Sequence, residues 1–354
     1  MTKPVKKQVN KATDLKARVL GKKELPKGPI TESNIGEQRE KTLESAKKFK
    51  YPLQQAKHRV LITAAIVFVV AAVAFVSVSW WMLYTKQDIS DFYYAATRIL
   101  PVPVAEVDGQ PVSYGDYMRR LRADVNYLEK QENRDFSTED GQRELEHIRR
   151  VDMDETEKAA YAAKIAKEKS ISVSDEEVQT SIDKILSGQG GAISERAFEN
   201  SIWRYYGWSM GDYRSVTQER LLLRKVSFAV DDAARKKASE VKNQLDFGGD
   251  FGKLAKKYSD DEDTKAKGGD AGTVNVSDDD SDGLIAAAKK LKKGQVSDLI
   301  EGIDAFYIIK LTGKSDTTVK YSLIKISLGE FDRKFEALRE QGKIHEYIEI
   351  KEDK

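Results

Sequence analysis

The sequence predicts an α+β protein in which a single membrane-spanning helix precedes a helical domain and a second domain that contains a small sheet. Three observations lead to this prediction. An uncharged run of 25 residues covers Val60–Tyr84. Apolar residues then recur at helical spacing to about residue 228, and short alternating runs typical of strands are mixed with helical runs over 231–327. The 354 residues leave room for about two domains besides the span.

The charges divide the chain into three parts. Residues 1–59 hold 16 Lys or Arg and 6 Asp or Glu, residues 60–84 hold no charge, and residues 85–354 have an acidic excess of 8. The net charge of +2 gives no indication of nucleic-acid binding. The chain has no cysteine, which excludes disulfides, thiolate metal sites, thiol nucleophiles and a cysteine-linked lipid anchor.

The uncharged run predicts a transmembrane helix over 59–84, because about 20 apolar residues suffice to cross a bilayer. Lys57 and Arg59 flank one end, and Trp80, Trp81 and Tyr84 mark the other, where aromatic rings settle at the headgroup level. The positive-inside rule then places the N-terminus in the cytoplasm and residues 85–354 outside the cell membrane. The alternative is a cleavable signal peptide with its cleavage site at residues 77–79, but the basic leader is too long for one.

The tail, residues 1–58, is expected to be largely disordered, because residues 1–36 show no apolar periodicity. Residues 37–58 favour a weak helix that Pro52 interrupts. Lysines in this basic juxtamembrane segment are placed to bind anionic lipid, at roughly 1 kcal/mol each. The alternative is a solvated tail that only fixes the topology.

After a connector over 85–102, residues 103–230 predict a helical domain. Two short extended runs flank the Asp108-Gly109 turn, and Ser113 and Asp116 fit a capping box that opens a helix. Further helices are predicted over 138–150 and 155–170, after Ser174 with Glu177 as a second capping box, over 196–206, and after Ser209 as N-cap. Apolar faces at spacings of three and four include Tyr117, Leu121, Val125, Leu128, Val178, Ile182, Ile185, Tyr213, Val216 and Leu221.

Three motifs in this part resemble the N-terminal chaperone domain of the SurA, PrsA and PpiD foldases. They are VDGQPVS before the first helix, ISVSDEEV at a helix start, and GWSMGDYR followed by RLLLRK. The resemblance implies a helical cradle for unfolded or partly folded exported proteins, with Tyr117, Leu121 and Tyr213 as client contacts. The alternative is a helical bundle without this role.

Residues 231–327 resemble a parvulin-type peptidyl-prolyl isomerase domain. The matching motifs are DFGKLAKKYSDD at 250–261, KGGDAG at 267–272, LKKGQVSDLI at 291–300 and FYIIKLTGK at 306–314. The resemblance implies a small antiparallel sheet flanked by helices. Gly268 and Gly269 are expected at positive φ where the backbone approaches closely, and Asp270 is expected to accept from backbone amides.

Carried over residue by residue, the isomerase site looks eroded. Asp261 stands where the family has Cys or Asp, and Tyr307 stands at the histidine of the last family strand. The pocket Phe corresponds to Leu284, the pocket Met to the acidic surroundings of Asp280, and a second apolar position to Lys289. Leu284, Ile300 and Phe306 are the expected client contacts in this domain.

The second family histidine lies on a strand that normally precedes these motifs, where no clear strand is predicted. VKYSLIKIS at 319–327 resembles that strand, and we expect it to pair antiparallel with a strand at 305–312, with Ser322 or Tyr321 at the histidine position. The chain's three histidines, His58, His147 and His345, fall elsewhere. Weak or absent isomerase activity is therefore expected.

No motif indicates other chemistry. The sequence has no phosphate-binding loop, dinucleotide fingerprint, nucleophile elbow or histidine-rich metal spacing, and its acidic runs lack the calcium loop ending in Glu. No metal and no cofactor is expected. Residues 328–354 predict a helix with Phe331, Phe335 and Leu338 inward, then an extension, packed on one of the two domains.

The sequence thus favours a membrane-anchored extracytoplasmic foldase that binds exported clients through a cradle and a parvulin-like domain. One alternative is an active prolyl isomerase of exported proteins. Another is a non-catalytic scaffold in a cell-envelope complex. The oligomeric state stays open.

Overall fold

A computed structural model describes residues 32–50, 52–187, 193–278 and 280–351. The described residues form two compact units, one ending at Ser77 and one beginning at Val78. In the first, α1 covers Glu32–Lys50, and α2, Pro52–Tyr84, runs on into the second. Helix α1 agrees with the helix expected over 37–58 and its interruption at Pro52, but it begins at Glu32, inside the part expected to be disordered, because its Glu, Lys and Gln residues are strong helix formers. The prediction for residues 1–31 lies outside the described residues.

The stretch His58–Tyr84 of α2 is the one described helix that is long and apolar enough to cross a membrane. Its last turn belongs to the second unit, where Leu83 is buried in the core. The Tyr114 hydroxyl donates to the Leu83 carbonyl at 2.6 Å, and the Tyr84 hydroxyl donates to the Pro103 carbonyl at 2.6 Å. These contacts fix the end of α2 to the domain that follows.

The helical domain contains α3 (Asp91–Ile99), β1 (Pro103–Val107), β2 (Gln110–Ser113), α4 (Tyr114–Gln131), α5 (Glu139–Lys169), α6 (Asp175–Leu186), α7 (Glu195–Tyr206) and α8 (Met210–Val230). Two expectations are corrected here. The connector over 85–102 contains α3. The two helices predicted over 138–150 and 155–170 are the single helix α5, because the intervening residues include neither Gly nor Pro and bury Met153.

Polar caps start these helices largely as predicted. Ser174 and Glu177 form a complete capping box, and Ser209 forms one with Asp212. Ser113 accepts from the Asp116 amide at 3.2 Å, but the predicted box is incomplete there. The Asp116 carboxylate instead pairs with the Arg119 guanidinium at 2.9 Å.

The second domain comprises α9 (Asp232–Asp246), α10 (Phe251–Tyr258), α11 (Glu262–Lys265), β3 (Asp270–Asn275), α12 (Leu284–Lys290), β4 (Ile300–Glu301), β5 (Ala305–Lys314) and β6 (Thr318–Ser327). The strands form an antiparallel sheet in the order β3-β6-β5-β4. The predicted pairing of 319–327 with 305–312 is confirmed, with Ile309 opposite Leu323. Strand β4 pairs antiparallel with β5, and an isolated bridge joins Val296 to Lys310.

The chain then returns to the helical domain. Helix α13 (Glu330–Glu340) buries Phe331, Phe335 and Leu338 in the same core as β1 and α4, as predicted for its inward face. Strand β7 (Ile344–Glu346) pairs antiparallel with β1. The sheet domain is therefore inserted into the helical domain, which the C-terminal segment completes.

One carboxylate joins the two chain crossings between the domains. The buried Asp231 side chain accepts from the amide of Ala234 at 2.9 Å, where it caps α9. It also accepts from the amides of Gly329 at 2.8 Å and Glu330 at 3.0 Å, at the start of α13. Burial opposes ionisation, but these three amides hold the pKa of Asp231 below its usual range.

A second buried carboxylate, Asp152 on α5, lies beside Asp124 on α4. Burial, together with the charges of Asp124 and Glu155, raises the pKa of Asp152 to about 8, against the opposing effect of Arg120. The Asp152 Oδ2 atom is buried and has no hydrogen-bond partner among the described residues. Protonation of this group lets one proton bridge the two carboxyls.

Candidate functional site

The candidate site on the sheet domain is the face of β5 and β6 that α12 covers. Alternation along these strands places Tyr307, Ile309 and Leu311 on this face together with Tyr321 and Leu323. The α12 residues that pack against them are Leu284, Ile285 and Ala288. Tyr307 is buried, so the predicted site residue lies under the loop that precedes α12 rather than in open solvent.

The Tyr307 hydroxyl is held by a carboxylate of that loop. It donates to Asp282 Oδ2 at 3.2 Å, while Asp282 Oδ1 accepts from the Ile303 amide at 2.8 Å. Burial, followed by the charges of Asp282 and Asp304, raises the pKa of Tyr307 above its ordinary value, so the phenol stays neutral. A Cβ on Gly302 would lie 2.5 Å from Asp282 and 2.5 Å from the Tyr307 ring, so only glycine permits this approach.

A cation completes the surroundings of Tyr307. Lys325 lies opposite Tyr307 across β5 and β6, and its Nζ is 5.8 Å from the centre of the phenol ring. The same Nζ pairs with Asp304 at 3.2 Å. Hydrogen-bond donors are therefore present at this face, but its phenol and its ammonium are both engaged by carboxylates.

Asp261 has a structural role in this conformation. It is the N-cap of α11, where Oδ2 accepts from the Thr264 amide at 3.1 Å and from the Thr264 hydroxyl. The nearby predicted glycine Gly269 has a φ of +86°, and a Cβ there would lie 2.4 Å from the Leu323 carbonyl oxygen. Asp270 accepts from the Gly272 amide at 3.0 Å, as expected.

The expectation for Ser322 is wrong, because this residue lies on the other face of the sheet. It pairs with Lys310 and Asp270, and the neighbouring even-numbered Ile324 packs under α9 and α10. Strand alternation therefore directs Leu323 and Tyr321 toward Tyr307. Letter-by-letter comparison of VKYSLIKIS with the family strand V-x-x-S-H-I-L-I already puts Leu323 at the histidine, a signal that the sequence prediction missed.

Three predicted client contacts are corrected, because they are core residues. Phe306 is fully buried on the α9 side of the sheet, with its ring 5.0 Å from that of Phe228 in an edge-to-face arrangement. Tyr117 and Leu121 are fully buried in the helical domain. None of these side chains can touch a client without unfolding of its core.

The remaining predicted contacts lie closer to the surface but are occupied by neighbours. Leu284 is buried and Ile300 half-buried in the cluster around Tyr307. Tyr213 is half-buried, with its ring 5.1 Å from that of Phe198. The structure does not bring the predicted contacts of the two domains together into one surface.

A cavity of about 500 Å³ opens between α4, α5 and α8 of the helical domain. Its apolar wall consists of Ala163, Ala166, Ile171, Val173 and Leu222, and its polar residues are Asp116, Arg119, Lys167, Ser172, Ser215, Gln218 and Glu219. The sequence prediction missed it, because convergence of three helices leaves no local pattern.

The polar side of this cavity is organised around Glu219, which binds Arg119 and also Arg120 at 2.7 Å. Burial raises the pKa of Glu219, although both guanidinium groups oppose this effect. The buried Arg119 Nε has no hydrogen-bond partner among the described residues.

Among the described residues, no group of three or more His, Cys, Asp or Glu is arranged to hold a metal ion. The acidic runs around Asp261 and Asp282 are instead used in capping and in the bond to Tyr307.

Comparisons with known proteins match both domains. A family model described as "SurA-like N-terminal domain" matches residues 53–227, and one described as "PPIC-type PPIASE domain" matches residues 221–313. The chain is 33% identical over 164 residues to Foldase protein PrsA 2 of Bacillus anthracis, covering 42% of this chain and 56% of that protein. It is 32% identical over 146 residues to Foldase protein PrsA of Clostridium kluyveri, covering 41% and 39%.

The match thus covers 56% of the length of the first of these relatives and 39% of the second. A crystal structure of the peptidylprolyl isomerase PrsA from Bacillus anthracis is 24% identical, covers 51% of this chain and 82% of its own, and superposes with a TM-score of 0.19. A superposition this poor carries no argument about the site.

Proposed function

We propose that this chain, which joins a SurA-like N-terminal domain to a PPIC-type PPIase domain, is a membrane-anchored extracytoplasmic chaperone. The two matched domains place it with the SurA/PrsA-type foldases. Its clients are unfolded or partly folded exported proteins. Its PPIase domain contributes to binding and does not isomerise prolines efficiently.

The observation that carries the proposal is the pairing of Tyr307 with Asp282 on the sheet face where the family places its imidazoles. Lowering an amide barrier of about 18–20 kcal/mol needs a pocket that seats the prolyl ring and donors free to reorganise around the imide. Here the phenol is buried and committed to a carboxylate, and Leu323 offers only an alkyl group. This arrangement supports a retained scaffold with reduced chemistry.

Client binding is assigned to the cavity of the helical domain. Its apolar wall, together with polar Ser215 and Gln218 and the exposed Lys167, suits an extended polypeptide, which presents apolar side chains and backbone carbonyls together. The two domains share one compact unit, so a client held in the cavity stays near the sheet domain.

Membrane anchoring rests on the apolar helix His58–Tyr84 and on the basic residues before it. The topology can be tested cleanly, because the chain has no cysteine. We expect a membrane-impermeant maleimide to label Lys351→Cys in intact cells and to label Gln38→Cys only after permeabilisation. Labelling of both without permeabilisation would refute a cytoplasmic tail.

The decisive experiment measures cis–trans exchange of an Ala-Pro peptide by NMR with the full chain in detergent micelles. The expected exchange stays near the uncatalysed time of tens to hundreds of seconds. Asp261→Ala and Tyr307→Phe should leave it unchanged, as should the matched control Tyr347→Phe, just after β7. A clear acceleration that both site variants abolish and the control retains would establish an active isomerase instead.

A second assay separates the chaperone from a scaffold. The full chain should suppress aggregation of a denatured client at near-equimolar ratio, and Arg119→Ala should weaken this effect. If the wild-type chain fails to suppress aggregation, the scaffold alternative is favoured.

A further inference from the structure

An exposed row of aromatic rings lies on the helical domain where α7 meets α4. The ring centres of Tyr127 and Tyr205 are 6.4 Å apart, those of Tyr127 and Tyr206 are 6.3 Å apart, and those of Tyr206 and Trp208 are 5.2 Å apart. The last two pairs are stacked. We call these four residues the aromatic row.

The aromatic row is accessible. Tyr127, Tyr205 and Tyr206 are 37%, 39% and 38% exposed, and the adjacent Trp203 on α7 is 65% exposed. Single exposed apolar residues are ordinary, but contiguous exposed rings are typical of interaction surfaces. The three tyrosine hydroxyls have no hydrogen-bond partner among the described residues, so donors stand free beside the ring faces.

The row is also held in place by its surroundings. The Asn126 amide donates to the Tyr205 carbonyl at 2.7 Å and to the Arg204 carbonyl at 3.3 Å, which ties the end of α7 to α4. The Trp208 Nε1 donates to the Arg119 carbonyl at 3.0 Å. Rings fixed before binding lose little conformational entropy when a ligand arrives.

The bond from Trp208 also places the row beside the candidate client cavity, because Arg119 lines that cavity. Arg119 and Asn126 are seven residues apart on α4, so they lie on one face of this helix. The cavity and the aromatic row are thus consecutive parts of one surface.

We propose that the aromatic row binds proline-rich segments of client polypeptides in the polyproline II conformation. This inference rests on the proposed chaperone function and names the kind of client segment that its helical domain selects.

Charge distribution favours this occupant. The row is neutral, and the negative faces of its rings complement the partial positive charge on the C–H groups beside the proline nitrogen. A polyproline II segment has no internal hydrogen bonds, so its carbonyls need donors. The free hydroxyls of Tyr127, Tyr205 and Tyr206 supply them. Aromatic-lined surfaces recognise this conformation in unrelated domains for the same reasons.

The test uses the full chain in detergent micelles and a fluorescein-labelled peptide of repeated Ala-Pro-Pro, with a Gly-Ser peptide of equal length as control. Fluorescence anisotropy should show saturable binding of the proline peptide only. Tyr206→Ala should weaken binding about tenfold and Tyr127→Ala/Tyr206→Ala should abolish it. Tyr206→Phe, which keeps the ring, should cost at most about threefold. The matched control Phe247→Ala removes a 94% exposed ring from the sheet domain and should have no effect.

Equal binding of the two peptides, or unchanged binding by the double variant, would overturn the inference. So would a row that mediates self-association, seen as a dimer that the double variant dissociates. Circular dichroism melts verify that the variants fold. If the chain suppresses client aggregation but does not bind the proline peptide, only this inference fails; if it does neither, the proposed function fails as well.

Discussion

Replacing Asp231 with alanine is expected to lower the free energy of unfolding by about 3 kcal/mol. Loss of the α9 cap accounts for about 1 kcal/mol. The amides of Gly329 and Glu330 lose their acceptor in a partly buried position, which adds about 1 kcal/mol each. The neighbouring variant Asp232→Ala serves as the control, because Asp232 is exposed and should cost only a few tenths of a kcal/mol.

Urea unfolding of the full chain in detergent micelles measures this effect with two probes. The four tryptophans, Trp80, Trp81, Trp203 and Trp208, all precede the sheet domain. Trp80 and Trp81 lie in the apolar stretch His58–Tyr84, so both are replaced by Phe in every chain compared. The fluorescence of Trp203 and Trp208 then follows the helical domain, whereas far-ultraviolet circular dichroism follows both domains. Because Asp231 binds both chain crossings, its loss should also separate two transitions that coincide in the wild type.

The pH dependence gives an independent check. The pKa of Asp231 is lowered in the folded state, so its stabilisation is fully present above the unfolded value of about 3.9 and is lost as the pH falls through the folded value. The difference between wild type and Asp231→Ala should be constant from pH 7 to about 4 and should narrow below that. A difference under about 1 kcal/mol at pH 7, or one equal to that of Asp232→Ala, would refute the reasoning.

Three further predictions concern the core and the site. Because the folded pKa of Asp152 is raised to about 8, the folded chain retains a proton that the unfolded chain releases above about pH 4. Stability should therefore fall between these pH values, and Asp152→Asn should flatten the dependence of Tm on pH; an equally steep dependence in the variant would contradict the assignment. Phe335→Ala should lower the free energy of unfolding by about 3–5 kcal/mol by leaving a cavity, against about 0.5 kcal/mol or less for the exposed Phe247→Ala. The double variant Leu323→His/Tyr307→His should raise the rate of prolyl exchange, measured by NMR, above that of the parent chain. An unchanged rate would contradict the view that the missing imidazoles are what limits catalysis.

Much of the fold follows from local signals. The antiparallel partnership of 305–312 with 319–327 was predictable, because both runs alternate and a short polar connector joins them. The capping box at Ser174 was readable for a similar reason, since the cap and its partner are three residues apart.

The errors come from interactions that span the chain. Whether an apolar helical residue is core or client surface depends on what packs against it, and Tyr117 and Leu121 face a core completed by residues after 330. The face of Ser322 depended on the strand register, and a shift of one position reversed it. The cavity beside Arg119 forms where three helices meet, and the aromatic row forms where two distant segments meet. No short stretch of the sequence contains either feature.

The pairing of β7 with β1 sets an order of assembly during synthesis. β1 is synthesised early, yet its partner strand and the buried Phe335 follow more than 200 residues later. The inserted sheet domain has all its strands available sooner, so it folds while its host still waits for the last segment. A chain with this topology exposes its own unfinished core for most of its synthesis, and truncation before residue 330 should leave a folded sheet domain on an open helical one.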